Sequence, residues 1–302
     1  MPPRLIVGLS NFHDFLPAGG WAGLVDLAAA AEAAAVDAVS VVDHVALGGD
    51  LSGYPYGSFP GGPDAPWLEP LTTLAAFAGR TSRIGLMTGI LIAPLRPPAL
   101  LAKSAATLDQ LSGGRLELGV GTGWLPKEYE AVGLDFADRG RLLDDALAAC
   151  RALWRGGPTS FDSPRLRFDD VHVSPTPLQP GGVPLWVGGE LHPRNVARIV
   201  AHADGWIPAP PTKPADVAAG AERLREAFAQ AGRDPAALRV RVSLGRPREG
   251  GPERAFETLP EVLAQTGATD VFVAHQAFAA GPDGAAELFA TLAEAFAAAT
   301  GR

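Results

Sequence analysis

The sequence predicts an α/β fold, an eight-stranded (β/α)8 TIM barrel, and three features point there. Short runs of β-branched and aliphatic residues alternate with helical patterns from end to end, the signature of repeated βα units around a parallel sheet. The strand-like runs number eight, the count that closes a barrel. At 302 residues and 47% hydrophobic content the chain can bury one large core, so residues 1–302 are read as a single domain.

In chain order, a strand over Leu5–Ser10 leads to a helix over Trp21–Ala35, and Ala38–His44 leads to Leu71–Gly79. Ile84–Leu91 precedes a helix at Ala99–Leu111. Leu116–Gly121 precedes Arg139–Trp154, and its alternation of Leu116, Leu118 and Val120 marks a strand. Leu185–Gly188 feeds Pro193–Ala203, and Gly205–Pro208 feeds Ala215–Ala231, whose buried stripe reads Val217, Ala221, Leu224, Phe228 and Ala231. Val240–Gly245 with Glu253–Gln265 and Val271–His275 with Ala285–Ala299 complete the set. Two connections are long: Val45–Pro66, rich in Gly, Pro and Tyr, and Gly156–Gly182, which carries a strand pattern at Arg165–Val173. Insertion loops at the carboxyl face of a barrel usually cover the active site.

Composition excludes several function classes. Lys and Arg total 25 against 33 acidic residues, net charge −8, with no basic run to track a nucleic acid. The lone Cys150 lies in the apolar stripe Leu143, Leu147, Cys150, Trp154, which makes it a core residue and not a nucleophile. MPPRLIVGLS moves directly into a strand, and no apolar span is long enough to cross a membrane. A cytoplasmic protein is the expectation, with a small-molecule substrate and with neither nucleic acid nor membrane as partner. No metal-ligand spacing and no GxSxG elbow occurs.

In such a barrel the ligand sits where strands end, which selects Asn11, His44, Thr88, Thr122, Gly188, Trp206 and His275. Gly119-Val120-Gly121-Thr122-Gly123-Trp124 leaves backbone open for a flat or anionic ligand, although a tight turn needs the same glycines. His44, before the long loop, can donate a hydrogen bond or proton near neutral pH; a strand-end histidine bound to a backbone carbonyl is the plainer alternative. His13 and His275 also stand at strand ends. Met87-Thr88-Gly89 interrupts an apolar strand, as a bulge or a barrel-taper glycine would. Gly188-Gly189 and Arg194 converge at a helix start, which is either an anion site or a simple glycine turn.

Together these segments resemble the bacterial luciferase-like superfamily, in its deazaflavin (coenzyme F420) oxidoreductase branch. The resemblance runs through Val42-Asp43-His44, Glu69–Leu74, Arg80–Gly85, Thr88-Gly89, Leu108–Leu116, Gly119–Arg139, Pro184–Gly189 and Ala203–Trp206. It implies a tricyclic cofactor at the carboxyl face, coenzyme F420 or alternatively FMN, and a non-proline cis peptide near Met87-Thr88. His44 would be catalytic. Asp43, Met87, Thr88, Gly121, Thr122, Gly123, Gly188, Gly189 and Arg194 would bind cofactor, and Asn11, His13, Trp67, Trp124 and Trp206 would line the substrate pocket. Arg139, in a GxxFxxR match, would pair with a carboxylate at the rim. Trp124 stands where members that oxidise a sugar phosphate carry a glutamate, which disfavours that substrate. A homodimer is implied, with its surface around Leu74–Phe77 and Leu100–Leu108, residues that serve equally as barrel packing.

Overall fold

A computed structural model of the chain describes residues 2–12, 20–210, 212–247, 249–278 and 284–302. The strands are β1 (Arg4–Gly8), β2 (Ala38–Val41), β3 (Gly85–Ile92), β4 (Leu116–Gly121), β5 (Thr159–Asp162) and β6 (Arg167–Val171). They continue with β7 (Leu185–Gly188), β8 (Gly205–Ile207), β9 (Arg239–Leu244) and β10 (Asp270–Ala274). Eight of them, all but β5 and β6, close into a barrel in the order β1-β2-β3-β4-β7-β8-β9-β10, with every neighbouring pair parallel. The expected fold is therefore the observed one. β5 and β6 form an antiparallel hairpin inside the insertion after the fourth barrel strand.

The helices are α1 (Trp21–Ala33), α2 (Pro70–Arg80), α3 (Pro98–Ser112), α4 (Pro126–Ala131) and α5 (Arg139–Leu153). They end with α6 (Pro193–His202), α7 (Pro214–Gln230), α8 (Leu259–Thr266) and α9 (Ala285–Thr300). Their apolar stripes pack on the outside of the barrel, where Leu74, Phe77, Leu224 and Phe228 are fully buried. Each such side chain contributes about 1.5–3 kcal/mol relative to exposure. Cys150 belongs to this core, and burial pushes its thiol up to about 12, so it is inert. None of the described helices is long and apolar enough to cross a membrane.

Four elements differ from expectation, each for a local reason. β2 stops at Val41 because the Asn11 side chain takes the next backbone group: its Oδ1 accepts from Val42 N–H at 3.0 Å and its Nδ2 donates to Val42 O at 2.8 Å. The helix expected over Glu253–Gln265 splits into a 3-10 turn at Pro252–Phe256 and α8, since Pro260 lacks the N–H that would continue a helix through it. The short α4 appears inside a stretch read as loop, entered at Pro126. Ala231 is the exposed cap of α7 rather than part of its buried stripe.

The barrel interior is polar at its amino end and apolar above. Arg4, Glu117, Arg239 and Asp270 form a closed lattice with contacts of 2.7 Å and 2.8 Å, and Trp186 Nε1 donates to Glu117. Burial alone would raise the Glu117 carboxyl, but Arg239 and Arg4 together hold it below the usual carboxylate range. Above this plug Ile6, Ala38, Met87, Trp186 and Ile207 fill the centre.

Candidate active site

The carboxyl ends of β2, β4, β7 and β8 bring together two features, a covered histidine and an open cavity. His44 follows β2 and faces α4. Its Nδ1 lies 3.1 Å from Glu128 Oε2, while Glu128 Oε1 accepts from Val45 N–H at 2.8 Å. Glu128 is fully buried. A carboxylate acceptor there makes Nδ1 the protonated nitrogen and leaves Nε2, which makes no hydrogen bond to the described residues, for a ligand. The carboxylate thus sets the tautomer and the ring orientation.

Aromatic rings from the Val45–Pro66 insertion and from β4's turn cover that histidine. Trp67, Phe59 and Trp124 meet His44 edge-on at 4.6, 5.2 and 6.2 Å between centroids, and Trp67 stacks on Phe12 at 4.2 Å. Tyr54 joins Phe59, Trp124 and Tyr56 at 5.3–5.4 Å. The His44 side chain is left 9% exposed. Two groups in this box are unsatisfied: the indole N–H of Trp67 and that of Trp124 are buried and donate to no acceptor among the described residues. Buried donors without partners are costly in a finished core and suit a site that receives an acceptor from outside.

Beside the box lies a cavity of about 1080 Å³, lined by Thr122, Gly188, Gly189 and Trp206 at strand ends and by Pro55 and Tyr56 of the insertion. It extends over the start of α6. There His192 caps the helix, its Nδ1 accepting from Asn195 N–H at 3.3 Å, and Arg198 is consumed by Asp144, Asn195 and Gly140 O. Three further guanidiniums line the cavity. Arg194 is 52% exposed and only loosely paired, 3.8 Å from Asp144. Arg139 lies on the Phe136 ring at 4.1 Å and donates to Phe136 O; the expected carboxylate partner is not there, because Phe136, one turn earlier, holds the guanidinium. Arg223 donates to Leu191 O at 2.6 Å. Arg139 and Arg223 have no ion pair among the described residues, so a helix N-terminus and three available cations face one space.

Of the residues expected to bind cofactor, Thr122, Gly188, Gly189 and Arg194 line the cavity. The others serve the frame. Asp43 is buried, takes Arg96 through both oxygens at 2.7 and 3.1 Å, and accepts from Ile92 N–H at 2.8 Å; Arg96 continues to Glu69 at 2.7 Å. Met87 is barrel core, and Thr88 points its hydroxyl at Gly119 O, 2.8 Å away. The non-proline cis bond is Gly89–Ile90, two residues beyond the expected place. Gly123 has a φ of +66°, and a Cβ added at Gly123 or Gly121 would stand only 3.0 Å from Ile92 or 3.1 Å from Ile90 of β3, so both positions keep glycine.

Among the substrate-pocket residues, Trp206 lines the cavity and donates to Gly189 O, and Trp67 and Trp124 form the box around His44. Asn11 instead ties the β1 and β2 ends to Leu68 O. His13 lies outside the described residues. His275 packs on Phe289 of α9, 5.5 Å away behind the wall, where burial lowers its pKa. Sequence reasoning passed over Glu128 and Arg223. For Glu128 a signal existed: Leu125, Glu128 and Tyr129 are all buried, so the acid stands among apolar positions at helical spacing. No group of described residues has the composition to hold a metal.

Comparison with known proteins bears on this geometry. Residues 6–248 match the family described as luciferase-like monooxygenase. An uncharacterized protein of Mycobacterium tuberculosis, Rv0940c, is 33% identical over 274 residues, 86% of this chain and 87% of its own. Among solved structures, monooxygenase RslO1 from Streptomyces bottropensis superposes with a TM-score of 0.76 at 19% identity, covering 96% and 98% of the two chains. A F420-dependent secondary alcohol dehydrogenase, in complex with an F420-acetone adduct, gives 0.74 at 17% identity over 98% and 99%. At those identities the likeness is one of fold.

Proposed function

The chain belongs to the luciferase-like monooxygenase family, and from that premise we propose that it is an oxidoreductase using coenzyme F420 to pass hydride to or from a small apolar carbonyl, imine, alkene or alcohol. The observation that carries the choice of cofactor is the length of the cavity. It runs from Gly188 past α6 to Arg139 and Arg223, whose guanidiniums have no ion pair among the described residues. A tail with several negative charges can use each of them, at about 1.5–3 kcal/mol for a well-formed charge-assisted contact. A mononucleotide phosphate would be met by the Gly188–Gly189 turn and Arg194 alone; that turn and helix start support FMN monooxygenase chemistry as the second reading, with Arg139 and Arg223 left unused.

The residues present fit such a group: an aromatic box with two unpaired indole donors suits a flat ring with acceptor edges, and the arginines suit its anionic end. When bound, the cofactor supplies the hydride donor or acceptor carbon. The chain supplies the rest. Thr122, Gly188, Gly189 and Arg194 hold the anionic chain, Tyr54, Phe59 and Trp124 exclude water, and the apolar rings select a substrate that is apolar at its reacting end. His44, oriented by Glu128, gives or takes the accompanying proton at Nε2. In this reading the protein works in the cytoplasm as a homodimer; Leu100 and Leu111 of α3, 58% and 69% exposed, support an apolar contact face. Leu74, Phe77, Leu101 and Leu108 are not available for it, being buried under the helix layer.

The test is to titrate the cofactor-free protein with coenzyme F420 and with FMN, following the fluorescence of each. Tighter binding of coenzyme F420, weakened by Arg139→Ala and Arg223→Ala, is expected. Equal affinities, or tighter FMN binding, would transfer the assignment to the monooxygenase.

A further inference from the structure

Among the described residues, Arg241 is the arginine of the barrel interior that forms no ion pair. It sits on β9 two residues above Arg239, which places it higher in the barrel than the Arg4–Glu117–Arg239–Asp270 lattice. That lattice is neutral in itself, two guanidiniums on two carboxylates. Arg241 therefore adds a positive charge that no carboxylate of the described residues contacts, with Asp270, already engaged by Arg4 and Arg239, acting on it only at longer range. The residue is only 6% exposed, and its Nε and Nη1 donate to no acceptor among the described residues. Phe272 covers one face of the guanidinium at 4.5 Å, but a stacked ring leaves the in-plane N–H edge unmet. Burial pushes its pKa down to about 10, so it remains charged at neutral pH.

A second donor points at the same place. Ser40 Oγ, on β2, is also buried without a partner among the described residues. Both groups converge on Gly89: a Cβ placed there would stand 2.5 Å from Ser40 Oγ and 3.0 Å from Arg241 Nη1. Glycine at this position keeps the two donors uncovered. Gly89 and Phe272 are partly exposed, and Ser243, the next inward position above Arg241, is exposed, so the pair opens toward the carboxyl mouth. A buried guanidinium with a free fork calls for a planar, two-oxygen or conjugated anion, whose geometry it matches.

We propose that Arg241 and Ser40 form a binding site for a planar oxyanion, carried by a small ligand, on the floor of the barrel mouth. The oxyanion has two sources, a carboxylate on a substrate or the imide carbonyl edge of a flavin-type ring, which carries negative charge when that ring is anionic. The inference stands whichever cofactor the cavity accepts.

Benzoate titrated into the full chain, read by calorimetry against a chloride control, probes the first source. Coenzyme F420 and FMN titrations probe the second. Arg241→Met keeps the volume and removes charge and fork, and because it deletes a buried charge that no carboxylate contacts it should be at least as thermally stable as the parent. Arg241→Lys keeps the charge and loses the fork, and Ser40→Ala removes the hydroxyl. Benzoate affinity lowered about tenfold or more in Arg241→Met, with cofactor affinities unchanged, assigns the anion to a substrate; the same loss for a cofactor assigns it to the ring. Unchanged affinity for all three ligands, or no benzoate binding together with unchanged cofactor affinity, overturns the proposal. So does an Arg241→Met protein that is less stable but binds normally. Should Arg241→Met fail to accumulate, normal binding by both Arg241→Lys and Ser40→Ala overturns it as well.

Discussion

The two ends of the barrel use the same residue types to opposite effect. At the amino end Arg4, Glu117, Arg239 and Asp270 satisfy one another at 2.7–2.8 Å, and nothing there is left to offer a ligand. At the carboxyl end, among the described residues, Arg139, Arg223 and Arg241 form no ion pair, two indole N–H groups have no acceptor, and His44 Nε2 makes no hydrogen bond. Charge that is paired holds the barrel shut; charge left unpaired beside a cavity marks where something binds. In a barrel this division follows the chain direction, because the loops that follow strands vary while the strand starts pack.

The largest effect should come from breaking the closed end. Glu117→Ala leaves Arg4 and Arg239 short of a partner, and removing one member of a buried pair costs about 3–5 kcal/mol. Chemical denaturation should report that loss while cofactor affinity of the remaining folded protein stays normal. A matching pH dependence follows, since the Glu117 carboxyl is held below its unfolded value: its contribution is present above the ordinary carboxylate range and disappears as pH falls through the folded value. A stability curve for the wild type that is flat on acidification down to pH 3 would contradict the lattice.

At the open end, His44→Ala should reduce turnover by about 100-fold or more with little change in cofactor affinity, the range for a positioned acid or base. Single-turnover rates at saturating cofactor, across pH 5–9, separate this from simple stacking, which would lower rate and affinity together by modest factors. Glu128→Gln comes next. It keeps the shape but can present an amide N–H to Nδ1 and disturb the tautomer, so a loss of about tenfold in rate with an altered pH profile is expected. A variant with an unchanged profile would reduce Glu128 to a brace for Val45.

The smallest effect lies at the outer rim of the amino end, away from the lattice. Glu32, on α1, accepts from the backbone of Ser82, Arg83 and Ile84 at 2.6–3.2 Å just before β3. Its slight burial works upward, but the three amides hold its carboxyl down at about 2. Glu32→Gln should cost about 1 kcal/mol by thermal denaturation at pH 7, with the difference shrinking as pH falls below about 4.5, and turnover should not change.

Strand and helix order were legible in the sequence because each barrel element carries its own periodicity. Leu116, Leu118 and Val120 alternate, and Val217, Ala221, Leu224 and Phe228 recur at helical spacing, whatever else the chain does. The glycine turns after β4 and β7 and the Arg194 helix start were legible for the same local reason, and of these Thr122, Gly188, Gly189 and Arg194 line the cavity while Gly121 and Gly123 pack against β3. What distance in sequence separates was not legible. Asp43 reads as a neighbour of His44, yet Arg96, 53 positions away, takes its carboxylate into the frame. Glu128 lies 84 positions from His44 and touches it; Arg139 finds a ring three residues back instead of a carboxylate across the rim. Arg241 reads as an ordinary strand arginine beside Arg239, and only closure of the barrel gives one of them two carboxylates and the other none. Hydrophobic periodicity is a property of a segment, so the sequence determined the barrel. Pairing of buried charge is a property of which segments end up side by side, so tertiary structure alone decided which polar residues are consumed by the fold and which remain for chemistry.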